Sequence, residues 1–232
     1  MVNRKYELTD ETKTLGDGTV LHRIRAVRDF VTVDGALVNA GDLGGWIENE
    51  SNLYHYGKAW VFENAMVYGN AQVDIDARVS GRAEVLDCAL VCGRAWVLGD
   101  SRVYGHAEVC DNSYVYGHAD VHGNARVCGN AEIYGNADVC GHALVSGGAD
   151  VCGDAIVSDR HGYATYKNTW SSGRWFTYTR SNGMWKVGCF HGTGKELIDK
   201  AYKDSKLSGK CYERIVRAQE AIDREIHKGC RK

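Results

Sequence analysis

The sequence predicts a mainly β chain: a triangular parallel β-helix, preceded by a short β cap and followed by a small α+β module. Three observations carry this. An aliphatic residue stands at every sixth position from Val61 to Val157, seventeen sites in all, each Val except Ile133. Four positions after each comes a small residue, from Ala65 through Ala155, broken only by Ser101 and Ser113. Gly occupies the position two after the aliphatic residue at twelve of the seventeen sites, from Gly69 to Gly153, and the 232-residue chain contains no proline.

Residues 1–52 read as the cap. Phe30, Val31, Thr32 and Val33 run into the turn Asp34-Gly35, and Ala36, Leu37, Val38 and Asn39 leave it, a hairpin pattern of the Asp-Gly kind. Trp46 and Ile47 are the apolar residues placed to close the open end of a β-helix. No other role is assigned to the cap.

Residues 53–160 carry the repeat. Alternation of Val, Gly and Ala with larger or polar residues is a strand period, not a helix period. A six-residue unit holds one short strand and a corner, and glycine tolerates the backbone angles a tight corner needs. Three units make an 18-residue coil, with coils about 4.8 Å apart through parallel hydrogen bonds. The valines then stack along the axis, each contributing about 1.5–3 kcal/mol when fully buried. Such a stack needs a cap at both ends.

Residues 161–232 differ in kind. Trp175–Arg180 and Trp185–Phe190 flank the turn Ser181-Asn182-Gly183-Met184, and Tyr163–Lys167 offers a third strand. Thr193 and Glu196 form a capping box for a first helix. A second helix is expected from near Ser208, with Tyr212, Ile215, Val216, Ile222 and Ile226 on one face. Helices over one sheet face leave the other open. On that face the sequence places the candidate ligand-binding residues: Trp170, Ser171, Ser172, Arg174, Trp175, Tyr178, Arg180, Trp185 and Lys186. Flat aromatic rings stack on planar ligands and cations neutralise phosphate, so an anionic, nucleotide-like ligand is the chemistry they suit. The competing structural reading takes the aromatics as core and the positive charge as a means of docking onto the acidic body.

The quoted residues resemble the left-handed β-helix hexapeptide-repeat superfamily, particularly its YdcK-like members and related phage and prophage proteins. Arg23–Phe30 and Gly41–Glu48 resemble the lead-in of those phage proteins, and the likeness covers roughly residues 20–160. It implies left-handedness, which the spacing does not show, and a homotrimer as the first expected oligomer. It also suggests a host-facing or anti-defence role, such as capturing a nucleotide-derived signal or blocking a host protein or nucleic acid. One departure weakens any transfer of acyltransferase chemistry: here Gly lies two positions after the aliphatic residue, where many hexapeptide acyltransferases place it directly after.

Charge divides the chain. Residues 161–232 hold 15 Lys/Arg against 7 Asp/Glu, a net of +8, and residues 1–160 hold 13 against 23, a net of −10. No apolar run approaches the roughly 18–20 residues of a membrane span. The first ten residues lack the apolar core of a signal peptide, so no membrane partner and a cytoplasmic location are expected. Nine cysteines, an odd number mostly inside the repeat, suggest reduced thiols.

Residues eighteen apart share an outward column. The columns run Phe62, Ser80, Leu98, Tyr116, Tyr134, Cys152; Tyr68, Leu86, Tyr104, His122, Cys140, Ser158; Asp74, Cys92, Cys110, Cys128, Ser146; and Trp60, Arg78, Trp96, Tyr114. Their apolar character suits either in-register stacking or packing against sister subunits. Enzymes on the resembled fold use histidine as a base or in zinc sites between subunits. His106 and His142 lie two coils apart, about 10 Å, too far to share one metal. The best cluster by sequence is His122, Cys140 and His142. The repeat runs unbroken and offers no loop for a lid, which leans the reading away from an acyltransferase or carbonic-anhydrase-like enzyme. No cofactor and no catalytic residue are assigned. The favoured function is a non-catalytic binding scaffold, with an enzyme or a structural assembly protein as the alternatives.

Overall fold

A computed structural model describes residues 4–229, with side chains described to Ile226, so the outermost residues of the predicted cap and module lie outside it. The chain divides into two compact units, Met1–Gly162 and Tyr163–Lys232.

The first unit is a three-sided parallel β-solenoid. Its seventeen two-residue strands, from Trp60–Val61 to Ile156–Val157, form three sheets, with six repeat strands on two faces and five on the third. Register is uniform: Val85 pairs with Val103, Val91 with Val109, Val97 with Val115. Every valine of the repeat, and Ile133, is fully buried.

The ladder has a direction. Each coil donates N–H groups to the carbonyls of the next, as Trp60 N to Ala77 O at 3.1 Å and Tyr116 N to Ile133 O at 2.9 Å. The first coil therefore carries carbonyls with no coil beneath them, and a buried carbonyl needs a donor. The cap supplies donors on all three faces. Trp46 N and Glu48 N reach Ala65 O and Val67 O, and Tyr54 N reaches Val73 O. The Asn52 amide donates to Gly69 O and Ala71 O at 3.0 and 2.8 Å. On the third face the Lys5 ammonium, wholly buried, donates to Ala59 O at 2.7 Å.

The cap holds more strands than the one hairpin expected from sequence. Phe30–Val31 and Leu37–Val38 do pair across the Asp34-Gly35 turn. A longer hairpin, Tyr6–Thr14 with Val20–Ala26, extends the first sheet through Leu43–Ile47. Its alternation is masked by a run of polar residues from Thr9 to Lys13, most of them exposed. Ile47 continues the inner column, in register with Val67. Trp46, expected to plug that column, instead faces outward with Leu21 and Met66.

The corners explain the glycine pattern. At the Gly position the backbone is left-handed, and the four described residues other than Gly with positive φ all stand there: Glu63, Ile75, Asp87 and Asp111, at 56–60°. Stacked corners are also close. A Cβ at Gly123 would meet the Gly141 amide nitrogen at 3.0 Å. The three acidic exceptions gain a partner, because Glu63, Asp87 and Asp111 accept from the N–H of Gly81, Gly105 and Gly129 one coil on, at 2.7, 3.0 and 2.9 Å. Ile75 gains no such bond from its side chain and is half exposed.

The second unit is a four-stranded antiparallel sheet, Tyr163–Lys167, Trp175–Thr179, Met184–Val187 and Phe190–Thr193, followed by helices α1 (Gly194–Asp204) and α2 (Lys206–Gly229). The Thr193–Glu196 capping box opens α1. Phe176, Trp185, Val187, Leu197, Ile198 and Val216 make the core, with Tyr212 and Ile215 packed against it. Ile222 and Ile226, expected on the buried face of α2, are exposed. Among the described residues no helix is long and apolar enough to cross a membrane.

Two stability predictions follow from the corners and the cap. Ile75→Gly should raise the unfolding free energy by about 0.5–1 kcal/mol, while Gly123→Ala should lower it by about 1–2 kcal/mol, both read by urea denaturation. Burial, aided by Arg28, lowers the Lys5 ammonium to about 8 from an ordinary 10.5. The unfolded chain then binds more protons between these values, so the penalty of burying the charge is complete below pH 8 and fades as pH rises to 10.5. Wild type should accordingly gain about 3 kcal/mol relative to Lys5→Met across that window. A pH-independent difference would contradict the assignment.

Candidate functional site

The sequence-predicted ligand residues divide between two faces of the C-terminal sheet. Register decides the division: Phe176 pairs with Val187 and Tyr178 with Trp185, so these four side chains share the face that α1 and α2 cover. Trp185 is 2% exposed. Trp170 joins the same side, against Phe176 and Tyr212 with ring centroids 6.2 Å away. The Tyr178 hydroxyl donates to Asp223 at 2.7 Å, and Arg180 Nε donates to the same carboxylate at 2.8 Å. Gln219 bridges this pair to the sheet, donating to Asp223 at 2.8 Å and accepting from the Tyr166 hydroxyl at 2.6 Å. Burial alone would raise the Asp223 carboxyl. The hydrogen bonds from Tyr178, Arg180 and Gln219, with the charge of Arg180, outweigh it and hold the group below its usual range. Trp170, Tyr178, Arg180 and Trp185 are thus fastenings between sheet and helices. The sequence reading placed Trp175 and Trp185 on one face, and the strand register puts them on opposite ones.

The other face keeps the rest. Lys167 pairs with Trp175 across the two strands, and the Lys167 ammonium lies 4.6 Å from the Trp175 ring centroid. Trp175 is 39% exposed. Thr165, Thr177, Lys186 and His191 form one cross-strand row beside them. Arg174 is exposed and runs over the Gly188 corner, where a Cβ would meet its side chain at 3.3 Å.

Ser171 and Ser172 sit in a loop organised by Asn168, a buried residue the sequence reading passed over. Its N–H donates to Arg174 O at 2.9 Å, closing the loop. Its amide nitrogen donates to the Ser171 and Ser172 hydroxyls at 2.9 and 3.1 Å, and its amide oxygen accepts from Ser171 N at 3.0 Å. Asparagine before a Ser-Ser-Gly stretch is a local turn signal that could have exposed this role. Lys167 was not legible, because its place beside Trp175 depends on the strand register.

On the solenoid the outward columns stack on themselves. Tyr116 lies over Tyr134 at 4.8 Å and Tyr104 over His122 at 4.7 Å, each pair within 3° of parallel. The Arg78 guanidinium lies between the Phe62 and Trp96 rings, at 4.2 and 5.1 Å. The foot of that last column, Trp60, is buried against Tyr6 and Phe30. All eight described cysteines are free. Burial pushes the Cys110 thiol up to about 12 and raises Cys92 and Cys128 as well, which favours the uncharged thiol.

The histidine–cysteine cluster forms with one change of member. His122 and Cys140 stand together with Asp138, their ligand atoms all within 4.8 Å of one another. His142 lies beyond the left-handed corner at Gly141, in a groove of about 300 Å³ with His106, Arg126 and Arg160. The sequence reading treated Cys140 and His142 as alternate positions of one strand, but the corner between them turns the chain onto the next face.

No family model matches this chain, and the search of curated proteins finds no match.

Proposed function

We propose that the protein is a non-catalytic binding scaffold, whose C-terminal module holds a planar, anionic, nucleotide-like ligand on the sheet face opposite α1 and α2. One observation carries the reading: an exposed Trp175 ring with the Lys167 ammonium over it and the Arg174 guanidinium adjacent in sequence. An indole face stacks a base, and flanking cations neutralise phosphate. Lys186 and His191 extend the row on the neighbouring strands. The hydroxyls of Ser171 and Ser172, fixed by Asn168, add polar groups beside the cations. The module's net charge of +8 favours an anion before any specific contact forms.

The solenoid has a structural part in this reading. Its inward positions are filled by aliphatic side chains, and many outward ones pair within the stack, as Arg82 with Asp100 and Arg102 with Asp120. A homo-oligomer, expected as a trimer, would present several copies of the site.

Isothermal calorimetry against linear and cyclic nucleotides tests the proposal. Base–aromatic stacking of about 1–3 kcal/mol corresponds to a roughly 5- to 150-fold loss of affinity in Trp175→Ala, with a further loss in Arg174→Ala. Trp185→Phe, altered on the covered face, should leave affinity unchanged. Absence of binding across the panel, or binding indifferent to Trp175→Ala, would overturn it.

A further inference from the structure

The outward face of the solenoid built by Met66–Val67 and the strands in register above it carries a group that the binding reading leaves unused. His122 and Cys140 occupy equivalent positions on successive coils, since Val121 pairs with Val139. Asp138 opens the strand Asp138–Val139 and Cys140 follows directly after it, the two flanking the buried Val139. An imidazole from one coil thus meets a carboxylate and a thiol from the next. His122 Nε2 and Asp138 Oδ1 are 3.0 Å apart, and all three ligand atoms lie within 4.8 Å of one another. A tetrahedral ion with bonds of about 2.0–2.3 Å has ligand–ligand edges of roughly 3.3–3.8 Å. Side-chain rotation of about 1 Å covers the difference.

We infer that His122, Asp138 and Cys140 form a zinc(II) site with its fourth position open to solvent. The ligand types are those zinc accepts together, imidazole nitrogen, carboxylate oxygen and thiolate sulfur. One thiolate and one carboxylate balance the two positive charges of the ion, with the imidazole neutral. On binding, Cys140 gives up its thiol proton to solvent, the imidazole shifts to the tautomer whose one proton is on Nδ1, and the hydrogen bond from Nε2 to the Asp138 carboxylate is replaced by a bond from each to the metal.

The surroundings favour this cluster over its neighbour. Tyr104 stacks beneath His122 at 4.7 Å, which fixes the plane of the ring. Asp120, the carboxylate one coil below Asp138, is taken by Arg102 through two hydrogen bonds of 3.0 and 2.8 Å. Asp138 makes no ion pair with Lys or Arg among the described residues, so its carboxylate is available. A second trio, Cys110, Asp111 and Cys128, is as compact but less suited. Arg126 lies 3.9 Å from the Cys110 sulfur, and an Asp111 oxygen is held by the Gly129 N–H at 2.9 Å. A cation there repels a second one. All three members of the first trio are partly exposed, which leaves room for a water or an external ligand in the fourth position.

The full-length protein, freed of metal by chelation and reduced, would be titrated with cobalt(II) and followed by absorption. Cobalt takes zinc's place and reports a bound thiolate through an intense near-ultraviolet charge-transfer band. The inference predicts such a band saturating at one equivalent and removed by added zinc. It further predicts loss of the band in Cys140→Ser and at least tenfold weaker binding in His122→Ala. Cys110→Ser should keep both band and affinity, and far-ultraviolet circular dichroism would confirm that each variant retains its strands. No charge-transfer band, or one that persists in folded Cys140→Ser, would overturn the site.

Discussion

The ladder that ties each residue to the one eighteen positions on is the constraint from which the solenoid follows. It points the amides on either side of each valine toward the next coil, so the carbonyls of the first coil must find their donors in the cap. Each corner is set directly above another, which brings backbones within about 3 Å of where a Cβ would stand and selects glycine or a residue that tolerates the left-handed region. It also places like positions in columns, so any aromatic, thiol or carboxylate meets its counterpart one coil away. Arg78–Trp96, Tyr104–His122 and Tyr116–Tyr134 are three chemical outcomes of that rule, and Phe62–Arg78 and His122–Asp138 are contacts between neighbouring columns.

The solenoid was legible because a six-residue period repeated seventeen times leaves little competition for register. The parts that escaped are those the period does not govern. Lys5 lies outside the repeat among other charged residues, and only the unmet carbonyl of Ala59 makes its burial intelligible. The acids at Glu63, Asp87 and Asp111 interrupt the glycine pattern, and the N–H of the next corner explains them. In the C-terminal module the hairpin and the helix cap were readable from Asn182-Gly183 and Thr193–Glu196. Strand register across that hairpin was not. A shift of one residue exchanges faces, and that is what separates Trp175 from Trp185.

The two units divide the chemistry between them. The solenoid pairs several charged side chains across adjacent coils, as Arg82 with Asp100 and Arg102 with Asp120, and the partly exposed trio at Asp138 stands apart from those Arg–Asp pairs. The module spends Tyr178 and Arg180 on holding α2 to its sheet, and leaves Lys167, Arg174 and Trp175 facing outward.

Distances between paired spin labels test the columnar account most directly. Positions 72 and 144 lie on one face and positions 78 and 150 on another, and both pairs span four coils. At about 4.8 Å per coil, both should give about 19 Å between backbone sites by double electron–electron resonance, after allowance for label length. Unequal separations on the two faces, or a spacing far from four coils, would contradict the eighteen-residue register and the columns built on it.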